Sequence, residues 1–468
     1  MLIEGKELLI EPLTEVFNMI LNNEEKIPRS WRIGDIVSIY KGKGSKHDLK
    51  NQRGISLASA VLKCLEKVLS NRIEENIRKY STNLQGGGKK GEATEEYILI
   101  INTIVEYNQS RGKNTKIIIT DVEKAFDHAW RKGIFVNLAQ KGIEGKILNL
   151  MWQINNNLIS RIKYDEEIYS EEFNVEDSLR QGGGLSAILY AQHVGKIIEN
   201  CVERKIGTKI NEEHIPAVGW QDDVTILAED SKMEKELIEE IEKTAKKQRI
   251  KFSADKCKYI KIGRKKDDFE ETILSGRKLE KVEEGKILGY YFNSKGNNTT
   301  HIEKKNKECH EMVCSMGLTI KSSILYNIPI VSMVILYKTC IVPKMIYGLK
   351  ACYITKTEEE VIARNERKLL RNFARLPQCT SKAALYNELG IVPVEEEIKK
   401  KKLIMFKRIN DRRKTNSILK ETMNMQCFKN LKWFQQISKI AVDYNVDLEL
   451  MYSMDFKKWK MYIKKIIK

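Results

Sequence analysis

Two short apolar runs, each joined to aspartate, constrain this chain more than any other feature. The first, "TKIIIT" at residues 115–120, is β-branched and predicts a buried strand, with Asp121 directly after it. About a hundred residues later, "GWQDDVTIL" (219–227) sets Asp222 and Asp223 in a short polar gap between Ala217-Val218 and Val224-Thr225-Ile226-Leu227. That gap predicts a hairpin tip. Taken singly, an Asp-Asp pair in a turn is equally a solvated loop, because the chain carries 64 acidic residues. Taken together, Asp121, Asp222 and Asp223 are the carboxylate set needed to hold two Mg²⁺ ions about 3.5–4 Å apart. Such oxygen donors also admit Mn²⁺. Cys309, His310 and Cys314 are the only soft-ligand cluster and lack a fourth ligand at zinc-like spacing, so they read as helix residues.

Charge narrows the class of partner. Lys and Arg number 82, giving a net charge of +18 and a pI near 9.2, which favours a polyanion such as nucleic acid or an anionic membrane surface. With 42% hydrophobic residues in 468, there is enough apolar material for several packed subdomains. The N-terminus has no basic region followed by an uninterrupted apolar core, so a secretory signal is not expected. The longest apolar stretch, 328–347, is interrupted by Lys338 and Lys344 and reads as a buried helix, not a membrane span. Nine cysteines without a C-x-x-C pair suit free thiols in a reducing compartment.

Periodicity predicts a helical segment over 1–30, using Leu8, Leu9, Leu13, Val16, Phe17 and Ile20, then a strand from Ile33 to Tyr40. "KGKGSK" (41–46) follows, equally a solvated turn or a loop able to approach phosphates. Helices are predicted over 58–80 and 92–108, and another beginning near Asp127, with Asp127 as its N-cap. From about residue 300 the pattern becomes helical and basic.

"TDVEKAFD" (120–127), "LRQGGGLSAIL" (179–189) and "GWQDDVTIL" resemble, in order and spacing, motifs A, B and C of reverse transcriptases. The flanks "IPRSWRIGDIVSIYKGKG", "NQRGISLASAVLKCLEKVL", "LQGGGKKGEAT", "FSADKCKYIKIG" and "KILGYYFNSKG" extend the resemblance to the non-LTR, LINE-like retrotransposon group. "LYKTCIVPKMIYG" and "LLRNFARLP" resemble its later helical region. The resemblance implies an α+β right-hand polymerase: an N-terminal helical segment (1–30), fingers and palm with an antiparallel sheet (31–300), a helical thumb (301–400) and a basic helical C-terminal region (401–468). It implies RNA-directed DNA synthesis with dNTPs, an RNA template, a DNA primer or target and Mg²⁺, inside the cell in nucleus or cytoplasm.

By the same resemblance, Asp121 and Asp222 ligate both metals and Asp223 supports them. Phe126 closes under the sugar and excludes a 2′-OH, with ordinary core packing as its alternative reading. Gln181 and Gly182 approach nucleotide and template, and Arg180 beside them reads as a surface charge. Arg53, with Lys41 and Lys43 as weaker candidates, holds triphosphate oxygens. Lys256 approaches the leaving pyrophosphate as general acid. Leu288 and Gly289 grip the primer.

Four positions depart from the family pattern. Trp220 stands where Tyr or Phe is preferred, Gln221 for Ala, Gly88 for an aromatic, and Ser186-Ala187 for Ser-Pro. These departures keep a rival in play: a catalytically impaired, reverse-transcriptase-like RNA-binding protein or element relic. An RNA-dependent RNA polymerase is a second rival, disfavoured by Phe126. The chain begins where the family's polymerase region begins, and is expected to be a truncated element copy or one segment of a larger product.

Overall fold

A computed structural model of the chain describes residues 5–42, 44–156, 158–263, 269–316, 329–374 and 376–467. Two larger sheets and three two-stranded ribbons sit in the first three hundred residues, and every regular element after them is helical among the described residues. The class is α+β.

The first sheet is built on Ile33–Tyr40, which pairs antiparallel with Gln52–Leu57 and parallel with Leu158–Ile162; the latter also pairs with Phe173–Val175. The second has five strands, in the order Glu280–Lys281, Lys258–Ile262, Thr115–Ile119, Asp223–Ala228, Ala217–Trp220. Its three central strands run antiparallel, with Ile118 opposite Ile226 on one side and Tyr259 on the other. The run Ile117-Ile118 is fully buried, as a β-branched central strand requires. Lys116 in the same strand is also buried, and it reaches both carboxylate oxygens of Glu234, at 2.8 and 2.9 Å. A buried ammonium needs such a partner, because an unpaired one would deprotonate or unfold the strand.

Helices Ser186–Glu203 and Ser231–Lys247 pack together and against this sheet, burying Ile188, Leu189, Ile197, Ile198, Leu237 and Ile241. Helix Thr94–Ser110 buries Ile98 to Ile101 and joins the sheet to the helical part, where it meets Ser417–Phe428. In that later part Lys356–Phe373 starts on a capping box, Thr355 and Glu358 satisfying each other's backbone N–H. Trp433 and Trp459 are fully buried, their indoles donating to the carbonyls of Lys350 and Leu403 at 2.7 and 3.1 Å.

Three sequence expectations change here. The N-terminal helix runs Lys6–Leu21 and turns Leu9, Leu13, Phe17 and Ile20 inward, while Leu8 and Val16 are exposed. Leu8 lies about 100° round the helix from Leu9 and so falls outside the stripe, whereas Val16 lies within it on a helix whose one fully buried residue is Ile20. The apolar run 328–347, whose first residue lies outside the described residues, is not one buried helix from 329 on. Helix Ile330–Leu336 passes through a π-helical turn, Tyr337–Ile341, into Val342–Met345, and Ile330, Val331 and Ile335 face solvent. Finally, residues 123–128 form turns and the next helix is Arg131–Gln140, so Asp127 caps nothing. No helix among the described residues is long and apolar enough to cross a membrane.

Candidate active site

The strand Thr115–Ile119 sets the position of Asp121. Thr120 closes it against Val224, its N–H and hydroxyl both donating to that carbonyl at 3.2 and 2.8 Å. The Asp121 carbonyl then accepts from Ser253 N–H at 2.8 Å, and its N–H meets Cys257 Sγ at 3.4 Å. On the neighbouring hairpin Trp220 pairs with Asp223 across a two-residue turn, Gln221-Asp222, with Gln221 left-handed at φ 58°. The three aspartates therefore come from adjacent strands at one end of one sheet.

They feel one another's charge. Partial desolvation raises the Asp222 carboxyl above the usual range, reinforced by Asp121 and opposed by a backbone hydrogen bond and the Arg53 guanidinium. Desolvation, then the charges of Asp222 and Asp121, push Asp223 up to about 6, although the residue as a whole is exposed. Lys256 Nζ pairs directly with Asp121, 3.0 Å from its Oδ2, both side chains well exposed. Among the described residues no three His, Cys, Asp or Glu side chains are closed into a ready-made metal cluster. What exists is an open, charge-coupled acid set with one acid held by a lysine. Excess negative charge that its own protein does not neutralise fits a hard divalent cation.

The other predicted residues divide. Arg53 lies on the strand Gln52–Leu57, exposed, with its charge registered by Asp222. Phe126 stacks on buried Tyr190, ring centroids 4.9 Å apart and planes 27° apart. Burial and the Asp222 charge hold the Tyr190 phenol protonated far above its ordinary range, so the ring behind Phe126 stays neutral. Gln181 donates to Asp127 at 3.4 Å, one residue from Phe126, and its carbonyl accepts from Ser56 N–H at 2.9 Å. Gly182 has φ 115°, and a Cβ there would lie 2.9 Å from the Ser56 carbonyl oxygen. The backbone it must approach is the strand carrying Arg53.

Leu288 and Gly289 form the turn between Glu284–Ile287 and Tyr290–Asn293. Tyr347 Oη donates to the Leu288 carbonyl at 2.6 Å and meets Thr94 Oγ1 at 2.7 Å, fixing that turn to the helical part. Lys41 is spent on its own loop, donating to the Lys50 carbonyl at 2.8 Å, and Lys43 lies outside the described residues. Arg180 is corrected: it is buried, donates to the Arg32 carbonyl and lies beside buried Glu66. Burial raises the Glu66 carboxyl, which accepts from Gly184 N–H at 2.6 Å. Arg180 is thus part of the loop's foundation.

Sequence reasoning missed the support of the hairpin. Gln85, fully buried, accepts from Gln221 N–H at 3.0 Å and donates to the Gln221 carbonyl at 3.2 Å. Gly219 N–H donates to Leu84 at 2.8 Å and Gly86 N–H to Gly219 at 3.0 Å, adding residues 84–86 to the outer edge of the hairpin. The only sequence signal was the Gly-Gly-Gly run beside Gln85. Trp220 packs edge-to-face with Tyr97, centroids 5.7 Å apart at 76°.

A family model described as "Reverse transcriptase (RNA-dependent DNA polymerase)" matches residues 43–292, just over half of the chain, and spans all three aspartates. The chain belongs to the reverse transcriptase family. Enzymes of this family use divalent metal ions, and the family's right-hand polymerase architecture makes the five-stranded sheet its palm. This reverse transcriptase is 20% identical over 420 residues to the "Retrovirus-related Pol polyprotein from type-1 retrotransposable element R2" of Popillia japonica, covering 87% of the chain and 57% of that protein. It is 20% identical over 376 residues to the "RNA-directed DNA polymerase from mobile element jockey" of Drosophila melanogaster, covering 78% and 40%. Both are proteins of non-LTR retrotransposons, and the chain spans about half their length. Among solved structures, apo telomerase from Candida Tropicalis matches with a TM-score of 0.44 and 12% identity, over 97% of this chain and 74% of that one.

Proposed function

We propose that this chain is the polymerising part of a non-LTR retrotransposon product, copying an RNA template into DNA from a primer 3′-OH with dNTPs inside the cell. The observation that carries the reading is the set Asp121, Asp222 and Asp223, charge-coupled at one end of one sheet within the matched family region. These three would hold two Mg²⁺ ions. Bound there, the ions supply acidification of the primer hydroxyl and neutralisation of the leaving pyrophosphate.

The chain's own residues do the rest. Arg53 offers a planar fork to the triphosphate from the strand facing Asp222. Phe126, backed by the neutral Tyr190 ring, fills the space a ribose 2′-OH would need. Lys256, paired with Asp121 at 3.0 Å, becomes available on release from it as proton donor to the leaving group. Leu288 and Gly289, fixed through Tyr347, present a backbone turn to the primer.

The departures at Trp220, Gln221 and Gly88 support an intact site over the relic reading. Trp220 packs on Tyr97, Gln221 is held through both backbone polar groups by Gln85, and Gly88 seats against Ala187-Ile188. Each departure has a place of its own in the fold. Extension of a DNA primer on an RNA template, with Mg²⁺ and with dNTPs or rNTPs in parallel, tests the reading. Deoxynucleotide addition is expected; tight RNA binding with no addition of either class would return the chain to the inactive alternative.

A further inference from the structure

The segment that braces the aspartate turn is itself clamped from the far end of the chain. Helix Val394–Arg412 ends on Arg408 and Arg412, more than three hundred residues from the contacts they make. Arg408 Nε donates to Glu96 at 2.8 Å and its Nη2 to the Gly91 carbonyl at 2.7 Å. Arg412 spans two carboxylates, donating to Glu92 with one nitrogen and Glu96 with another. The side chains of Glu92 and Glu96 are 4% and 2% exposed and those of Arg412 and Arg408 17% and 36%, so the clamp's acids are buried and its arginines reach them from the surface.

From it two routes lead to the aspartates. Glu92 accepts from Tyr97 Oη at 3.1 Å, and Tyr97 carries Trp220 on its ring. Residues 84–91, pinned at Gly91, carry Gln85, which holds Gln221 by both backbone polar groups. Trp220 and Gln221 immediately precede Asp222.

We propose that Arg412, together with Arg408, is a positioning residue for the aspartate turn: the C-terminal helical region sets the geometry of the palm hairpin through Glu92, Tyr97 and Trp220. A buried ion pair is a weak source of stability compared with apolar packing, and a charge retained there serves to fix one arrangement. Arginine's rigid planar fork can hold two carboxylates in a fixed relation, where lysine offers a point charge on a flexible stem. The catalytic consequence rests on the polymerase reading above; the mechanical coupling does not.

The test pairs hydrogen exchange with single-turnover extension, on the whole chain bound to an RNA–DNA primer–template. Arg412→Ala is expected to speed amide exchange in residues 217–225 as well as in 84–92. It should slow extension by about ten-fold with little change in the dNTP concentration for half-maximal rate, the signature of a displaced reacting group. In a Trp220→Ala background the same change should cost less than about five-fold, because the ring route is already cut and only the route through Gly91 and Gln85 remains. Arg204→Ala, which breaks an ion pair to Glu240 on other helices, serves as the control for general loosening. Should Arg412→Ala fail to fold, Arg412→Lys and Glu92→Gln replace it with the same expectations. Exchange in 217–225 equal to that of the wild type and the control, or losses that simply multiply in the double variant, would overturn the proposal. A wild type that binds but does not extend, with the exchange coupling intact, would instead overturn the polymerase reading alone.

Discussion

One strand of the palm carries two opposite electrostatic solutions within six residues. Lys116, near its start, is neutralised completely: side chains 0% and 5% exposed, both Glu234 oxygens engaged, and Thr272 donating to the same carboxylate at 2.6 Å. Asp121, just past its end, shares its surroundings with two further acids and meets an exposed lysine. The first arrangement serves the fold and leaves nothing for a ligand. The second leaves charge unbalanced, which costs stability unless something from solution balances it.

The sharpest way to break this contrast is to exchange the outcomes. Asp222→Asn should lower single-turnover extension by about a thousand-fold or more, while primer–template affinity stays within about two-fold, since one charge barely alters a +18 chain. Its melting temperature should not fall, because the change relieves like-charge repulsion. Extension at the wild-type rate would remove the metal assignment.

Lys116→Met should do the reverse. It strands Glu234 inside the protein, and denaturant unfolding should show a loss of about 3 kcal/mol with the rate per folded molecule unchanged. Equal stability would mean that Glu234 is relieved by protonation or water and that the pair is dispensable.

Next in size is Phe126→Ala. With Tyr190 no longer screened, ribonucleotide use relative to deoxyribonucleotide should rise by about ten- to a hundred-fold, measured as the ratio of kcat/KM values. An unchanged ratio would leave Phe126 as core packing only.

The smallest effect is in pH. Asp223 titrates near 6 in the folded chain against the usual 3.8, so the metal-free protein binds an extra proton on folding between those values. Its stability should therefore fall as pH rises from about 4 to 6, by about 1 kcal/mol once solvent screening of an exposed side chain is allowed for. Asp222 shifts in the same direction. Divalent ions compete with that proton, so the rise in melting temperature on adding Mg²⁺ should be small at pH 5 and full above pH 7. A rise independent of pH would place the ion elsewhere.

What could be read from the sequence follows from how local each cause is. The strand before Asp121 and the hairpin at Asp222-Asp223 are written in short β-branched runs and a turn, so a window of ten residues suffices. Gln85, Tyr347 and Arg412 act on segments 59 to more than 300 residues away. No period or spacing announces such a contact, and each residue type is unremarkable alone. Arg180 looked like surface because arginine usually is; its burial depends on Glu66 and Arg32, which the chain brings to it from over a hundred residues away. Asp127 looked like a helix cap because the helix was expected four residues too early.

Gly88 carries a consequence for anyone exchanging parts between this chain and others of its family. Its φ is 74°, and a Cβ there would fall 2.7 Å from Ile188 Cα and 2.8 Å from the Ala187 carbonyl oxygen. The loop before the hairpin and the start of helix Ser186–Glu203 are cut to one another like the two halves of a mould. An aromatic transplanted to position 88 by itself has nowhere to go, and a Ser-Pro transplanted to 186–187 by itself reshapes the seat under Gly88. The exchangeable module is both together.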